Sequence, residues 1–531
     1  MKPVTTVTAP RGTGKSSIEW PGSALRLPAA TWLSSMALIC ALIVLGTIAL
    51  EHPRPERTAT FLGSIGLVAA WRYGWWLTHA LRASYYLRRR FPAIRARADA
   101  LAPDRRFQHV YAVVLSYDIA PALFRSVYDG LLREAITYGA PTTIVASITS
   151  ERDRALLKEV YLAAGAPPTV EIVTQYQEGT GKRTAMGEAL RIVSRRCPPG
   201  NSALVLMDGD ILLEEGALTR SLAIMSADPR LGAVTTNNDA IVEGSYLTRQ
   251  WYFTRYAQRH LLMASMSLSE RLLVLTGRFS IFRATLATEP EFIDLVERDG
   301  VDHWRYGRLD FVSGDDKSTW FHAIRSGARM LYIPDVKVYG AEALPAGDGF
   351  FRGSTRLMQR WFGNMLRANG RAIALGPRRL GLFTWWALVD QRLSMWTSLI
   401  GPYSAVTFAL LVSPVYLAYY ALWVLTTRIF MSVAIGVAYR RFSPAWPFVL
   451  YYNQIWGALL KVYLSFRLNR QGWTRQNLGA GPDKDRLDIW AARAMHAAAL
   501  VSAMFFVAVA SGQLPVPGAS DWKFLLAFGA R

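Results

Sequence analysis

Two kinds of hydrophobic pattern divide the chain: long apolar runs near both ends and short apolar segments in the middle. Residues 32–50 ("WLSSMALICALIVLGTIAL") carry no charge and are long enough to cross a bilayer core of about 30 Å. Similar runs cover roughly residues 60–80, 396–414, 417–437 and 491–510. The pattern predicts five transmembrane helices, with the N-terminus in the cytoplasm and the C-terminus outside.

Two further apolar segments contain polar residues and lie beside basic ones. "RRLGLFTWWALVDQRL" precedes the third predicted span, and "AWPFVLYYNQIWGALLKVYLSF" follows the fourth. If the second segment crossed the bilayer, one of its two basic flanks would have to lie outside. We therefore interpret both segments as interfacial or re-entrant helices.

Between about residues 105 and 367, short apolar segments alternate with amphipathic ones. The segments "HVYAVVLSYD", "TTIVASI", "TVEIVTQY", "SALVLMD" and "LGAVTTN" have the pattern of buried strands. The segments "LFRSVYDGLLREAITYG", "ERDRALLKEVYLAAG" and "KRTAMGEALRIVSRR" have helical spacing. This alternation predicts an α/β domain with a mostly parallel sheet and helices on both faces. In such sheets, ligands bind at the carboxyl ends of the strands.

These patterns predict an α/β domain inserted between helical membrane segments. In chain order the predicted parts are a cytoplasmic tail (1–30), two transmembrane helices (31–82), a basic interfacial segment (83–104), the cytoplasmic α/β domain (105–370), an interfacial amphipathic helix (371–395), two transmembrane helices (396–438), a re-entrant or interfacial helix followed by a "GWTR" loop (439–485), and a last transmembrane helix with an external tail (486–531).

The composition agrees with a membrane protein that carries a soluble part. Hydrophobic residues make up 51% of the chain and charged residues 19%, below the roughly 25% of a typical soluble domain. The net charge is +21, and arginines gather between residues 82 and 97. The positive-inside rule explains such a cluster without nucleic acid. Cys40 and Cys197 cannot form a disulfide framework, and the flank "EHPRPER" does not resemble a signal-peptide cleavage site.

Two aspartates flank a glycine where the fourth predicted strand ends, in "ALVLMDGDIL". Asp208 and Asp210 would cost free energy there unless a cation compensates their charge. Carboxylate oxygens suit Mg²⁺ or Mn²⁺, and such an ion commonly bridges a diphosphate. Asp-x-Asp also occurs in ordinary turns. Its position at the end of a parallel strand favours a metal–diphosphate site.

Two other polar clusters follow predicted strands. Lys182 and Arg183 begin a predicted helix directly after Gly181. Basic side chains beside the amides of a helix N-terminus favour an anion-binding site. The alternative is an ordinary, solvated helix start. Asp315 and Asp316 are adjacent in "FVSGDDKSTW", so their repulsion should raise the pKa of one and favour a general base. The alternative is a simple helix cap.

Two remaining motifs are weak by themselves. Arg360 and Trp361 lie on a predicted amphipathic helix near the membrane, where they would suit a phosphate and a sugar ring, or simply an interface. The segment "APRGTGKS" matches a loose phosphate-loop pattern. It lies in a polar tail rather than between a strand and a helix, so we interpret it as chance.

In this order and spacing the motifs resemble those of the processive, membrane-embedded family 2 glycosyltransferases, which include hyaluronan, chitin-oligosaccharide and cellulose synthases. The resemblance covers roughly residues 30–511 through "GKRTAM", "DGD", "SGDDKS", "AEALP", the Arg-Trp pair and "GWTR". "LTGRFSIFRA", "RWFGNMLR" and "SMWTSLIGP" are similar to the versions in the alginate-polymerising (mannuronan synthase) subfamily. The resemblance implies a GT-A domain of a multi-pass bacterial inner-membrane enzyme. Such an enzyme makes polymannuronate from GDP-mannuronate with inversion and exports it.

The same resemblance implies a role for each motif. Asp316 would be the general base with Asp315 beside it, and Asp210 and Asp208 would hold Mg²⁺ or Mn²⁺. The implied donor-binding residues are Lys182, Arg183, Asp208, Arg278, Arg360, Trp361, Trp473 and Arg475, and the implied acceptor-binding residues are Trp361 and Glu342. The implied partners are the nucleotide-sugar donor, the growing polysaccharide, the lipid bilayer, a separate regulatory subunit that binds a cyclic dinucleotide, and envelope export partners.

Some positions depart from the family pattern. Leu357 stands where relatives usually have the Gln of a QxxRW motif, and no acid ends the second strand to recognise the nucleobase. Gly277-Arg278 replaces the Gly-Pro of many relatives, and Arg278 would suit a uronate carboxylate. Arg72, near Trp75, and Arg428 lie inside predicted spans, where arginines usually face a cavity. They would suit an anionic polysaccharide in a channel, although Arg72 could instead extend towards the interface.

Three other functions stay open from the sequence. A hyaluronan- or cellulose-like synthase would use a UDP-sugar with the same motifs. A membrane transporter would bind a nucleotide without transferring a sugar. A nonprocessive, lipid-linked sugar transferase would share the α/β domain, but the Arg-Trp helix, the "GWTR" loop and the additional spans argue against it.

Overall fold

The computed structural model describes residues 29–51, 58–177, 181–303, 307–309 and 314–469, together with five positions between 490 and 505. Its helices are α1 (Ala29–Glu51), α2 (Thr58–Tyr85), α3 (Phe91–Asp99), α4 (Pro121–Tyr138), α5 (Glu151–Ala163), α6 (Lys182–Arg195), α7 (Ala217–Ala227), α8 (Tyr246–Ser267), α9 (Ala284–Ala287), α10 (Pro290–Glu297), α11 (Asp315–Arg325), α12 (Phe350–Ala374), α13 (Gly376–Leu380), α14 (Leu382–Leu411), α15 (Val415–Tyr439) and α16 (Trp446–Ser465). Its strands are β1 (His109–Leu115), β2 (Thr142–Ile148), β3 (Val170–Tyr176), β4 (Ser202–Asp208), β5 (Ile211–Leu213), β6 (Leu231–Val242), β7 (Phe279–Arg283), β8 (Val301–His303), β9 (Gly307–Leu309) and β10 (Arg329–Glu342).

Eight of these strands form one sheet in the order β3-β2-β1-β4-β7-β6-β10-β5. Strand β7 runs antiparallel to β4 and β6, β5 runs antiparallel to β10, and the other neighbours are parallel. Strands β1, β2 and β4 are almost wholly buried, as continuous apolar runs predict for central strands. The predicted α/β class with a mostly parallel sheet is confirmed. The five predicted strands and three predicted helices are all present.

The turn between the two aspartates is tight because β4 ends directly beside β1. Leu115 of β1 lies opposite Asp208 in the parallel register. The Gly209 amide donates to the Leu115 carbonyl at 2.8 Å. A Cβ atom at Gly209 would lie 2.4 Å from the Ser116 Oγ and 2.7 Å from the Leu115 carbonyl oxygen. Only glycine fits at this position. Because glycine allows the ends of β1 and β4 to approach closely, Asp208 and Asp210 on either side of it are held at the edge of the sheet.

The helices outside the sheet pack mainly on one another. Helix α16 contacts α12, α14 and α15, and α14 also contacts α2. By length and composition, α1 and α15 are the two described helices that are apolar enough to cross a membrane. They correspond to the first and fourth predicted spans. Most of the last predicted span lies outside the described residues, and the total of five spans stays a prediction.

The structure places no helix boundary at residue 396. Residues 382–395, the C-terminal part of the segment predicted as an interfacial helix, continue into the span predicted from residue 396 as one helix, α14, whereas residues 371–374 end α12 and residues 376–380 form α13. The polar residues that suggested an interface have protein partners instead. Asp390 pairs with Arg72 of α2, Gln391 accepts a hydrogen bond from Asn369, and Arg392 donates to a backbone carbonyl of α12. Because neighbouring helices satisfy these groups, α14 continues through them.

We expect Gly209→Ala to destabilise the protein by about 1–3 kcal/mol, since the added methyl group has no space between the ends of β1 and β4. Thermal unfolding of the detergent-purified protein measures the effect. Gly130→Ala is the control because a Cβ there, inside α4, meets nothing within 4 Å. Helix propensity should leave that variant as stable as the unmodified protein or slightly more stable. Equal unfolding temperatures for both variants would contradict the close-approach explanation.

Candidate active site

The centre of the site is a lysine between two carboxylates. Lys182, the first residue of α6, lies with its Nζ 2.7 Å from the Asp208 Oδ1 and 2.8 Å from the Asp315 Oδ2. Asp208 ends β4 and Asp315 begins α11, so the lysine joins three elements at the carboxyl edge of the sheet. A Cβ at Gly277 would lie 3.4 Å from this ammonium, which places the Gly277-Arg278 peptide beside the same group.

The charges of this group shift one another's pKa values. Burial, together with the charges of Asp210 and Asp315, raises the pKa of Asp208 to about 6 even though Lys182 opposes the shift. Burial also opposes ionisation of Asp315, but the Lys182 ammonium outweighs it and holds the pKa of Asp315 below its usual value. Burial and the adjacent Asp315 charge raise the pKa of Asp316. Two adjacent carboxylates with opposite shifts are the pattern that a poised proton acceptor requires.

The carboxylates of this site are suitable ligands for a divalent metal ion. Within the described residues no group of three or more His, Cys, Asp or Glu side chains is placed to hold a metal. Mg²⁺ and Mn²⁺ sites at phosphates commonly use only one or two carboxylates, because phosphate oxygens and water complete the coordination. Asp208 and Asp210 supply two such carboxylates on either side of Gly209. Burial and the neighbouring carboxylates raise the pKa of Asp208, and an added cation would favour its charged form.

A second charged group lies on the other side of Arg278. The Arg278 guanidinium forms an ion pair with Glu342 at the end of β10, and it lies 5.1 Å from the ring centroid of Tyr256. The Tyr256 hydroxyl also donates to Glu342, at 3.2 Å. The Arg278 carbonyl accepts a hydrogen bond from the Asp208 amide at 3.2 Å. Arg278 is predicted to bind the donor sugar nucleotide and Glu342 to bind the acceptor sugar; in this structure the two side chains form an ion pair with each other.

The Arg-Trp motif belongs to an aromatic stack. Trp361 of α12 stacks on Trp251 of α8, with ring centroids 5.8 Å apart and an interplanar angle of 21°. The Arg255 guanidinium lies 4.1 Å from the Trp361 centroid and 5.1 Å from that of Trp251. The Trp251 indole donates to Asn453 of α16 at 2.7 Å. Arg360, next to Trp361, is half-buried. The stack joins the α/β domain to the helical region.

Arg183, predicted to bind the donor, is buried and bonded to protein groups. Its guanidinium donates to the Val296 carbonyl at 2.6 Å and to the Ser318 hydroxyl at 2.8 Å, and only 6% of the residue is exposed. The arginine therefore joins α6 to α10 and α11. The burial of Arg183 could have been predicted from the helical spacing, because Arg183 lies on the same apolar face of α6 as the buried Met186 and Leu190.

The structure separates the three residues predicted to line a channel. Arg72 and Arg428 border one cavity of about 210 Å³, formed by residues of α2, α8, α14, α15 and α16. Trp75 does not border it: this side chain packs on Phe383 and His79, and the neighbouring Trp76 borders the cavity instead. Arg72 is paired with Asp390 at 2.5 Å. Trp473 and Arg475 of the "GWTR" loop lie outside the described residues.

The family is established by sequence. Residues 108–364 match the profile described as "Glycosyltransferase like family 2". A protein named glycosyltransferase alg8 from Pseudomonas syringae pv. tomato is 38% identical over 464 residues, which cover 87% of this chain and 93% of that protein. The glycosyltransferase alg8 of Azotobacter vinelandii is 39% identical over 417 residues, covering 78% of this chain and 84% of that protein.

Solved structures with a related shape are more distant. The mannosyltransferase PcManGT from Pyrobaculum calidifontis, in complex with GDP-Man and Mn²⁺, has 18% identity and a TM-score of 0.47, and covers 76% of this chain and 98% of that one. Glucosyl-3-phosphoglycerate synthase from Mycobacterium tuberculosis has 11% identity and a TM-score of 0.28, covering 52% and 82%. Identification therefore rests on the sequence relatives.

The mixed sheet with acidic residues at the carboxyl edge, together with the matching profile, defines an enzyme that transfers sugars. The extent and identity of the two curated matches make the assignment more specific. The chain belongs to the family 2 glycosyltransferases, in the same family as the glycosyltransferase alg8 proteins.

The charge balance at Asp208 predicts a pH dependence of stability. Its pKa of about 6 in the folded protein lies above the ordinary aspartate value of 3.8, so its contribution to stability is complete below about pH 4 and is lost as the pH rises through about 6. Asp208→Asn removes this loss. Between pH 4 and pH 7, we expect the unfolding temperature of the unmodified protein to fall relative to that of the variant.

Asp228→Asn is the control for this experiment, with the opposite sign. A hydrogen bond from Arg230 lowers the pKa of Asp228, so that carboxylate stabilises the folded state above its unfolded pKa and less at lower pH. Its replacement should cost stability at pH 7 and little at pH 3. Parallel pH profiles for Asp208→Asn and the unmodified protein would contradict the charge balance described here.

Proposed function

We propose that this chain polymerises mannuronate from GDP-mannuronate and passes the polymannuronate across the bacterial inner membrane. The observation that carries the proposal is the grouping of Asp208, Asp210, Asp315 and Asp316 around Lys182 at the carboxyl edge of the sheet. Membership of the glycosyltransferase family supports sugar transfer. The alginate-type motifs support the choice of donor.

In the proposed reaction, Asp316 accepts the proton of the acceptor hydroxyl. The freed oxygen attacks the anomeric carbon of the donor as the bond from that carbon to the diphosphate breaks, so the anomeric configuration inverts. The raised pKa of Asp316 suits a proton acceptor that works near neutral pH. Lys182 would contact the diphosphate from its place between the carboxylates. Asp208 and Asp210 would hold Mg²⁺ or Mn²⁺, which supplies positive charge to the departing diphosphate.

Arg278 is the proposed recognition residue for the acidic group of the donor sugar. Its neighbour Gly277 lies next to the Lys182 ammonium. The Arg278 guanidinium is paired with the Glu342 carboxylate, the same chemical group that a uronate carries. A donor carboxylate would take the place of Glu342 on the guanidinium. A neutral sugar carries no charge with which to compete with Glu342 for the guanidinium. Only an acidic donor would gain this charged hydrogen bond, and Arg278 would thereby favour it.

The membrane placement is proposed from several agreeing features. The basic segment after α2, the apolar helices α1 and α15, and the net charge of +21 support a multi-pass inner-membrane protein with its catalytic domain in the cytoplasm. The cavity bordered by Arg72 and Arg428 supports a passage for an anionic chain. A separate subunit that binds a cyclic dinucleotide and envelope export partners remain predictions from the resemblance, and no nucleic acid is proposed as a ligand.

Nucleoside diphosphate release by the reconstituted full chain tests the proposed function. We expect turnover of GDP-mannuronate with Mg²⁺ or Mn²⁺, loss of turnover with chelator, and an acidic polymer as product. Asp316→Asn should lower turnover by about 10²–10⁴-fold and retain donor binding, because a general base acts only in the chemical step. Asp302→Asn is the control, since that side chain is 79% exposed and pairs only with Arg308 among the described residues.

The alternatives have distinct outcomes in the same assay. Turnover of UDP-glucose, UDP-glucuronate or UDP-N-acetylglucosamine in place of GDP-mannuronate would overturn the donor assignment and favour a hyaluronan- or cellulose-like synthase. Donor binding without sugar transfer, unchanged in Asp316→Asn, would favour a nucleotide-binding transporter.

Donor selectivity tests Arg278. We expect Arg278→Met to lower kcat/KM for GDP-mannuronate by about 10–100-fold, since a charged hydrogen bond is lost, and to change kcat/KM for GDP-mannose much less. Arg278→Lys should retain part of the preference. Arg308→Met, at an exposed pair with Asp302, is the matched control. An equal loss for both donors would mean that Arg278 supports the fold rather than reading the carboxylate.

A further inference from the structure

Of the three arginines of helix α8, Arg255 and Arg259 share one face, and the proposed reaction uses neither. Arg255 and Arg259 are four residues apart, with Gln258 three residues from the first, so the three side chains share one face of the helix. Gln258 borders the cavity that Arg72 and Arg428 also border. The arginine-bearing face of α8 therefore adjoins the cavity in the helical region.

The same face extends to the proposed catalytic base. Arg259 lies within electrostatic range of Asp316 and of Arg278. Arg255 lies against the Trp361 ring, 4.1 Å from its centroid. The two arginines thus connect the neighbourhood of the general base with the Arg-Trp motif.

Further cations continue this line towards the cavity. Lys461 of α16 lies within electrostatic range of both Arg255 and Arg72. Its Nζ is 4.6 Å from the ring centroid of Phe362, next to Trp361 in α12. Positive side chains therefore follow one another from the neighbourhood of Asp316 to the cavity wall.

Among the residues that the structure describes, Arg255 and Arg259 have no protein counter-ion. Across the described residues, neither Arg255 nor Arg259 has a carboxylate oxygen within ion-pair distance, in contrast to Arg278 and Arg72. Burial, with the positive charge of Arg259 nearby, lowers the pKa of Arg255 to about 10; burial and Arg278 lower the pKa of Arg259. Both shifts express the free-energy cost of placing like charges together away from water, a cost that an anionic ligand would relieve.

We propose that Arg255 and Arg259 bind carboxylates at the acceptor end of the growing chain and thereby select an acidic acceptor over a neutral one. The proposal rests on the proposed function for the presence of an acceptor beside Asp316. A uronate carboxylate would receive charge-assisted hydrogen bonds from the planar guanidinium groups. A neutral sugar of the same shape would leave both charges without a partner.

Equilibrium binding of a labelled oligosaccharide to the reconstituted full chain, without donor, tests this proposal. The probes are a short oligomannuronate and the same oligosaccharide after reduction of its carboxyl groups. We expect the unmodified protein to bind the acidic probe about 10–100-fold more tightly than the reduced one. Arg255→Gln and Arg259→Gln should each remove most of this preference, whereas Arg255→Lys and Arg259→Lys should retain more of it.

Arg249→Gln is the matched control on the same helix, because Arg249 donates to the exposed Gly244 carbonyl at 3.2 Å and is remote from the arginine-bearing face. It should keep the full preference for the acidic probe. Equal affinity of the unmodified protein for both probes would overturn the proposal, even if a glutamine variant failed to fold. So would glutamine variants that fold and keep the preference.

The test separates this proposal from the proposed function. A protein that releases nucleoside diphosphate from GDP-mannuronate but binds both oligosaccharides equally keeps the function and loses the arginine subsite. A protein that binds the acidic probe through Arg255 and Arg259 but does not turn over GDP-mannuronate keeps the subsite and loses the donor assignment.

Discussion

The contact of Lys182 with Asp208 and Asp315 is the interaction on which the rest of the site depends. It joins the end of β4 to the start of the preceding helix, α6, and to the first turn of α11, which follows about a hundred residues later in the chain. One ammonium group cannot neutralise this cluster, because Asp210 and Asp316 add two further carboxylates. Burial first, and then the charges of Asp210 and Asp315, raise the pKa of Asp208, and Lys182 does not fully compensate them. A site with this deficit favours an added cation, and a diphosphate can then bind through that cation.

The backbone makes this concentration of charge possible by close approach. Gly209 brings the end of β4 against β1, and a Cβ at Gly314 would lie 3.0 Å from the Asn364 amide nitrogen of α12. Asn364 in turn accepts a hydrogen bond from Arg367, which also donates to the Leu468 carbonyl just after α16. Gly314, immediately before Asp315 and Asp316, thus lies against the long helix α12. That helix also carries the Arg-Trp motif and contacts the helical region.

Sequence patterns predicted the sheet and the positions of the acidic motifs because both depend on local order. Continuous apolar runs identify buried parallel strands, and a strand that ends in Asp208 places this residue at the carboxyl edge. Pairings between distant segments have no local signal. The ion pair between Arg278 and Glu342 is therefore visible only in the structure. The same holds for the ion pair between Asp390 and Arg72, which accompanies the continuation of α14 through a segment whose sequence predicts an interfacial helix.

The site combines carboxylates around one lysine with arginines on α8, and this arrangement bears on how an acidic substrate would be oriented. Asp208 and Asp315 contact Lys182, whereas Arg255 lies against Trp361 and Arg259 lies within electrostatic range of Asp316 and Arg278. Under the proposed function, the diphosphate faces the carboxylates of the site through a metal ion, and the sugar carboxylates face the arginines. A sugar carboxylate would be repelled from the place of the diphosphate. Under the proposed function, this charge pattern would favour an orientation in which the donor's anomeric carbon lies between the acceptor hydroxyl at Asp316 and the leaving group.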